Sequence, residues 1–137
     1  MNSNDFQRII TEAFQPCLKK LGFTLKPLSI SGREYNACFE SETHVVDVSY
    51  EPGDDYLDTA VYGREHTKLS DIDDPSKTLR LGELNRQYMQ LVTSDERRAN
   101  EALFKSIAAK DAMERRLLRL AEDLCLVLPK YLSALHR

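Results

Sequence analysis

The spacing of apolar residues changes twice along the chain, and each change marks a different kind of secondary structure. In residues 1–22, apolar side chains recur every three or four positions, which predicts an amphipathic helix. Pro16 lies inside this pattern and has no backbone N–H, so we expect a kink or a break near Gln15. Gly22 then supplies a stop. The first 22 residues therefore form one helix, whole or in two pieces.

Residues 23–63 have a period of two, as β-strands do. The alternation is clearest in residues 35–40, 45–50 and 57–62, and the connections between these runs are short and contain glycine or polar residues. Such connections favour antiparallel hairpins. An edge strand interrupted by Pro27 precedes these runs, because proline cannot donate to a central ladder. The segment predicts a four-stranded antiparallel meander.

Residues 82–137 return to helical spacing after a polar loop at residues 64–81. Thr93 and Glu96 form a capping box that starts a helix, and a broad leucine-rich stripe follows. One helix from there to residue 135 would be about 60 Å long, whereas a compact domain of this size has a radius of gyration of about 14 Å. We therefore expect the helix either to break, near AAKDAM and again at Pro129, or to project and pair with a second chain.

These elements together predict a single α+β domain, in which an N-terminal helix and C-terminal helices pack on one face of the meander. A chain of 137 residues is long enough to bury its own core. The expected core consists of inward-facing apolar side chains from the helices and strands: Phe6, Ile10, Phe14, Leu18, Phe39, Val46, Val48, Val61, Leu117, Leu124 and Leu128.

Composition indicates where such a chain would reside. No apolar run approaches the roughly 20 residues of a membrane helix, and the N-terminus lacks the basic and apolar regions of a secretory signal. The three cysteines, Cys17, Cys38 and Cys125, are odd in number and far apart. We therefore expect reduced, buried thiols and a cytoplasmic location.

The charges are strongly segregated along the chain. Residues 40–74 hold eleven acids and two bases, a balance of −9, although the whole chain carries only −3. Such a field speeds encounter with a basic protein, and tyrosines in the same region, including Tyr62, can anchor one. The alternative is that these are merely solvated turn carboxylates. The proposed partner-binding surface consists of Asp47, Glu51, Asp54, Asp55, Asp58, Asp71, Asp73, Asp74, Tyr50 and Tyr56.

Other chemistries have weaker signals. The acid clusters lack the spacing of a calcium loop, and no Cys or His pairs have zinc-ligand spacing, so we expect no metal and no cofactor. Acids interrupt the bases of ERRLLRL, and the chain is acidic, which disfavours nucleic-acid binding. Cys38, His44 and Asp47 lie close in sequence and are the place to look if the protein is an enzyme. A second alternative is a dimeric scaffold or regulatory subunit that associates through the C-terminal helix.

Two stretches carry a resemblance to known proteins. AFQPCLKKLGF followed by FESETHVVDVSYEP resembles small, uncharacterised bacterial cytoplasmic α+β proteins of the toxin-immunity type, whose chains also close with a leucine-rich helix. The resemblance covers most of the chain, but its motifs are structural and transfer no catalytic residue. It implies a non-enzymatic protein that binds a partner, and many antibacterial toxins are basic nucleases. A basic toxin would be a suitable partner for an acidic surface.

Overall fold

The computed structural model describes residues 1–65, residue 74 and residues 77–135. The helical elements in chain order are α1 (Ser3–Ile9), a π-helical segment (Ile10–Phe14), α2 (Gln15–Lys20), α3 (Leu81–Tyr88), a 3-10 turn (Met89–Leu91), α4 (Ser94–Phe104) and α5 (Ala112–Ala134). The strands are β1 (Thr24–Leu25), β2 (Ser29–Ile30), β3 (Tyr35–Glu40), β4 (His44–Glu51), β5 (Tyr56–Gly63) and β6 (Thr78–Arg80). The predicted α+β class with an antiparallel sheet is confirmed.

The N-terminal helical run changes its winding next to the proline that predicted a kink. Between α1 and α2 the backbone widens into the π-helical segment, where the Gln15 N–H donates to the Ile10 carbonyl five residues back. Pro16 is the second residue of α2, which continues the same helical run, so its missing N–H leaves a carbonyl of the preceding turn without its usual donor. The chain therefore passes Pro16 with a wider turn instead of a break.

The sheet has six strands in the described residues, so the prediction of four strands was wrong. Its order is β1-β3-β4-β5-β6, all pairs are antiparallel, and β2 also pairs with β3. The expected edge strand is two short strands, β1 and β2, because Pro27 interrupts the ladder between them. The sixth strand, β6, lies in the region assigned to a polar loop. It spans only three residues, too few to show a period.

One hydrophobic core joins the helices to one face of the sheet. Each of the eleven side chains predicted for the core belongs to it, and each is at most 1% exposed. The α5 residues Leu117, Ala121 and Leu124 are fully buried in this cluster. The broad leucine-rich stripe is thus buried in the core of a single chain. Self-association through this helix remains a prediction, and this buried stripe does not provide a surface for it.

The long C-terminal stretch breaks once, at the first of the two expected places. The capping box is present, with the Thr93 hydroxyl accepting from the Glu96 N–H and the Glu96 carboxylate accepting from the Thr93 N–H. α4 ends at Phe104, and α5 begins at Ala112 after an Asp111 cap. α5 continues through Pro129, so the second expected break was wrong. Burial of the side chains around Pro129 compensates for the lost backbone hydrogen bond.

Two long-range contacts fasten the N-terminal run to α5. Arg8 donates to the buried Glu114 carboxylate at 2.5 Å and to the Ala108 carbonyl at 2.9 Å. Cys17 and Cys125 form a disulfide with their Cα atoms 6.0 Å apart. The expectation of three reduced thiols was therefore wrong for this pair, and the cysteines no longer argue for a reducing compartment.

No helix in the described part of the chain is long and apolar enough to cross a membrane.

Candidate functional site

The β4–β5 hairpin gathers part of the acidic region on the sheet face opposite the core. Cross-strand partners share a face, and the register pairs Glu51 with Tyr56 and Ser49 with Asp58. Asp47 lies further along the same face, opposite Cys38 on β3. The core-facing pairs, such as Val46 with Val61, alternate with these. Four of the predicted site residues, Asp47, Glu51, Tyr56 and Asp58, thus occupy one face.

Two of the hairpin carboxylates, Asp47 and Asp58, form polar contacts with other side chains of the domain. The Asn36 amide donates to Asp47 at 2.6 Å. Burial, with Glu34 and Asp58 nearby, raises the pKa of Asp47 above its usual value even though that hydrogen bond opposes the shift. Asp58 forms an ion pair with Arg80 on the neighbouring strand β6. Arg80 thus compensates the charge of Asp58, whereas Asp47 is partly buried and bound by a neutral amide.

Asp55 and Tyr50 hold the turn together. Tyr50 lies in the core at 1% exposure, and its hydroxyl donates to the Asp55 carboxylate at 2.8 Å. Asp55 has a φ of 50°, a left-handed conformation that aspartate tolerates better than most residues. Burial and this hydrogen bond raise the pKa of Tyr50 to about 12. Tyr50 is therefore a structural residue and cannot anchor a partner as proposed, and Tyr62, at 6% exposure, is also buried.

The rest of the predicted surface on this hairpin is small, and we call it the hairpin tip: Glu51, which is partly buried, and the exposed Asp54, Asp55 and Tyr56. Its three carboxylates form no ion pair with any described residue. The Tyr56 side chain is 50% exposed beside them. Arg116 of α5 makes a long hydrogen bond to the Asp55 carbonyl, at 3.4 Å. The hairpin tip is therefore a negatively charged surface that Tyr50 links to the core, with one accessible aromatic ring.

The last three predicted acids lie outside this arrangement. Asp71 and Asp73 lie outside the described residues. The backbone carbonyl of Asp74 accepts from the Lys77 and Thr78 N–H groups at 3.0 and 3.1 Å, and its carboxylate is 4.0 Å from the Lys77 ammonium. Asp74 thus starts the turn into β6.

The structure does not bring the three residues of the possible catalytic site together. Cys38 and Asp47 are cross-strand partners, but His44 points to the other face of β4, where its ring lies 5.7 Å from that of Tyr131. Burial, followed by the nearby Asp47 and Glu40 charges, raises the pKa of the Cys38 thiol to about 11. A thiol with so high a pKa is a poor nucleophile at neutral pH. His44 accordingly cannot act as a base toward Cys38 in this arrangement.

Metal ligands do not cluster in the part of the chain that the structure describes. No group of three or more His, Cys, Asp or Glu side chains there is arranged to hold a metal ion. Asp54 and Asp55, which superficially resemble a calcium loop in sequence, belong to a hairpin turn between strands.

The sequence did not predict which side chains form polar contacts with the aspartates. Asn36 and Arg80 lie 11 and 22 residues from the carboxylates that they contact, and Arg116 lies 61 residues from Asp55, whose backbone carbonyl it contacts. No local motif signals such pairs, although the alternation in β3 does place Asn36 and Cys38 on the same face as each other. Knowledge of strand register would have been needed to find them.

Comparisons with known proteins leave the function to be inferred from this geometry. No family model, no curated protein and no solved structure matches the chain. The resemblance to immunity-type proteins therefore stays a prediction.

Proposed function

We propose that this chain is a non-enzymatic protein-binding module whose hairpin tip engages a basic partner protein, as an immunity-type inhibitor engages a basic toxin. The observation that carries the proposal is the set of three tip carboxylates without an ion-pair partner in the described residues. Unpaired surface charges of one sign attract a partner of the opposite sign and increase the rate of encounter. Tyr56, half exposed beside them, supplies the aromatic contact that charges alone lack.

The way the tip is held also supports a binding role. Tyr50 ties Asp55 to the core, and Arg116 ties the Asp55 backbone to α5. A surface that is already ordered loses little conformational entropy when a partner binds. The raised pKa of Cys38 and the separation of His44 from it favour a binding role over catalysis at this sheet.

The test removes tip charge without disturbing the turn. We would capture partners from a lysate of the source cells at low salt, then measure their binding rates to the wild type and to Glu51→Gln/Asp54→Asn. Asp55 and Asp58 stay unchanged, because they hold Tyr50 and Arg80. The double variant should slow association roughly tenfold at low salt and weaken its salt dependence, while dissociation changes little. Tyr56→Ala should mainly speed dissociation.

A matched control variant distinguishes the effect of the tip charges from the effect of the net charge of the protein. Glu42→Gln/Glu101→Gln removes the same two charges at exposed positions outside the tip. Its association rate should stay close to that of the wild type. Equal slowing by both double variants would reject the tip and leave only net charge, and equal rates for all three proteins would show that the tip carboxylates are solvated and without function.

A further inference from the structure

The Cys17–Cys125 disulfide lies in the wall of a groove and not inside the core. The groove has a volume of about 400 Å³ and lies where the N-terminal run meets α4 and α5. Its lining includes both cysteines, together with Lys20 of α2 and Leu103 of α4. Both cysteines are partly exposed, and a water molecule takes up only about 30 Å³. A small thiol compound therefore has room to approach the two sulfurs in the folded protein.

The helix that carries Cys17 has few other attachments. α2 spans only six residues, and Leu18 is the one residue of α2 that is buried. The π-helical segment precedes it, and Pro16 leaves a carbonyl of the preceding turn without its usual donor. A short helix with one buried side chain and an incomplete set of backbone hydrogen bonds opens at low cost. The covalent bond to Cys125 is therefore important for keeping α2 against α5.

The rest of the N-terminal run is held to the domain without the disulfide. Arg8 donates to the buried Glu114 carboxylate of α5 at 2.5 Å, and Phe6 and Ile10 are fully buried in the common core. A disulfide typically contributes only part of the stability of a domain of this size. We therefore expect the loss of the bond to release α2 and to leave α1, the sheet and α5 in place.

The third cysteine does not compete for the bond. Cys38 is a free thiol on β3, on the sheet face opposite the core. Burial, followed by the nearby Asp47 and Glu40 charges, raises the pKa of this thiol to about 11. The thiolate is the species that attacks a disulfide. A thiol that attacks the bond in the folded protein at neutral pH must then come from another molecule.

We propose that the Cys17–Cys125 disulfide is a reversible redox site, which a small dithiol reduces in the folded protein and which thereby controls the attachment of α2 to α5. The groove provides access to the bond, and the weak local structure of α2 provides the response. The site is separate from the hairpin tip and does not rest on the proposed function.

The reaction is a thiol–disulfide exchange in two steps. A thiolate of the dithiol attacks one sulfur of the bond, forms a mixed disulfide with it and releases the other cysteine sulfur as a thiolate. The second thiol of the reductant then displaces the remaining cysteine sulfur and closes the reductant's own disulfide. Two electrons and two protons thus pass from the dithiol to the two cysteines. A small disulfide reoxidises the pair by the reverse steps.

The first experiment distinguishes direct reduction from reduction that requires unfolding. Native protein is incubated with dithiothreitol and alkylated in denaturant, and the alkylated cysteines are counted by intact mass. The count should rise from one to three at a rate proportional to the dithiothreitol concentration. Val48→Ala removes part of a fully buried side chain of β4 that does not line the groove. It should change the rate less than about twofold, whereas a rate that requires global unfolding would rise about tenfold or more.

A tenfold faster reduction of Val48→Ala would overturn the proposal, because the bond would then be reached only in the unfolded chain. Cys38→Ser is the matched cysteine control and should be reduced at the wild-type rate. After dithiothreitol is removed, hydroxyethyl disulfide should return the count to one. Persistence of three alkylated cysteines, or of a mixed disulfide, would show that the site is not reversible and would also overturn the proposal.

Hydrogen exchange tests the response of α2. Backbone amides of residues 17–20 should exchange at least about tenfold faster in the reduced protein than in the oxidised protein. Local release of α2 exposes little surface, so 1 M urea should change this exchange less than about twofold. Exchange that requires global unfolding would rise about tenfold in 1 M urea, as we expect for the core amides of α5. Equal exchange in the two redox states, or equal urea dependence of α2 and α5, would contradict the release of α2.

Discussion

The β4–β5 hairpin and the junction between the N-terminal run and α5 are built in opposite ways. In the hairpin, Tyr50 and Asp55 are five residues apart, and the cross-strand partners lie on two consecutive strands that a single turn connects. At the junction, Arg8 and Glu114 are 106 residues apart, and the two disulfide-bonded cysteines are 108 apart. Five of the eleven acids of residues 40–74 lie in the first region, yet the disulfide and the buried Arg8–Glu114 ion pair lie in the second.

The difference shows how the density of acidic residues along a sequence relates to the charge at the folded surface. A strand pair places neighbouring acids beside partner side chains, so Asn36 donates a hydrogen bond to the partly buried Asp47, and Arg80 compensates the charge of Asp58. Helices that pack from distant parts of the chain bring together residues that look unremarkable in sequence, such as Lys20 and Leu103. Charge density along a sequence therefore overstates the charge that a folded surface presents.

The largest effect should come from breaking the ion pair at the junction. Glu114 is 1% exposed, and Arg8→Ala would leave its carboxylate buried without a counter-ion. We expect the free energy of unfolding to fall by about 3–5 kcal/mol. Urea denaturation measures it. Arg98→Ala, which removes the partner of Asp95 in an exposed pair, should cost at most about 1 kcal/mol. Similar losses for the two variants would contradict a special role for the junction.

Removing the disulfide should have the next largest effect. Cys17→Ser/Cys125→Ser opens a covalent loop of 108 residues and should lower the free energy of unfolding by about 2–4 kcal/mol. Cys38→Ser is the control, because Cys38 is a free thiol. Alkylation of the denatured, unreduced protein, followed by intact-mass measurement, should modify one cysteine per chain. Three modified cysteines would show that the bond does not form.

The smallest effect should come from the hairpin, and it has the opposite sign. The pKa of Asp47 is raised in the folded state, so stability falls as pH rises from its usual value of about 3.9 through the folded value. Asp47→Asn keeps an acceptor for Asn36 and should raise the melting temperature at about pH 7. The gain should vanish well below that window, where Asp47 is protonated. Asp54→Asn, at an exposed position, is the control; a lower melting temperature for Asp47→Asn at neutral pH would refute this account.

The sequence predicted what depends on periodicity and little of what depends on register or distant packing. The alternation of Val46 and Val48 and the helical spacing of Leu117 and Leu124 report burial directly, which is why the core was predicted correctly. The strand count failed at Pro27, which divides the edge strand into β1 and β2, and at β6, where three residues cannot establish a period. Pairing of Cys17 with Cys125 depends on how two helices pack, and neither residue carries a local signal of the other.

For the candidate site, too, the local features were predictable from the sequence and the features that depend on tertiary packing were not. Its location on the β4–β5 turn followed from the carboxylates themselves. Which of them remain available depends on strand alternation and on α5 docking at Asp55, and the buried Tyr50 shows that an aromatic residue beside acids need not be accessible. Lys20 and Leu103 belong to elements that meet only in the folded chain, so no sequence window contains the groove.

The π-helical segment Ile10–Phe14 gives the N-terminal run an unusual tolerance of one change in length. A π turn holds about one residue more than an α turn. Deleting a single residue there would close the π turn into an α turn and leave the helical faces on either side of it in place. Arg8 would still face Glu114, and Cys17 would still face Cys125. A chain one residue shorter between these two anchors should therefore keep both long-range contacts, although a deletion in a regular α-helix would rotate one of them by about 100°.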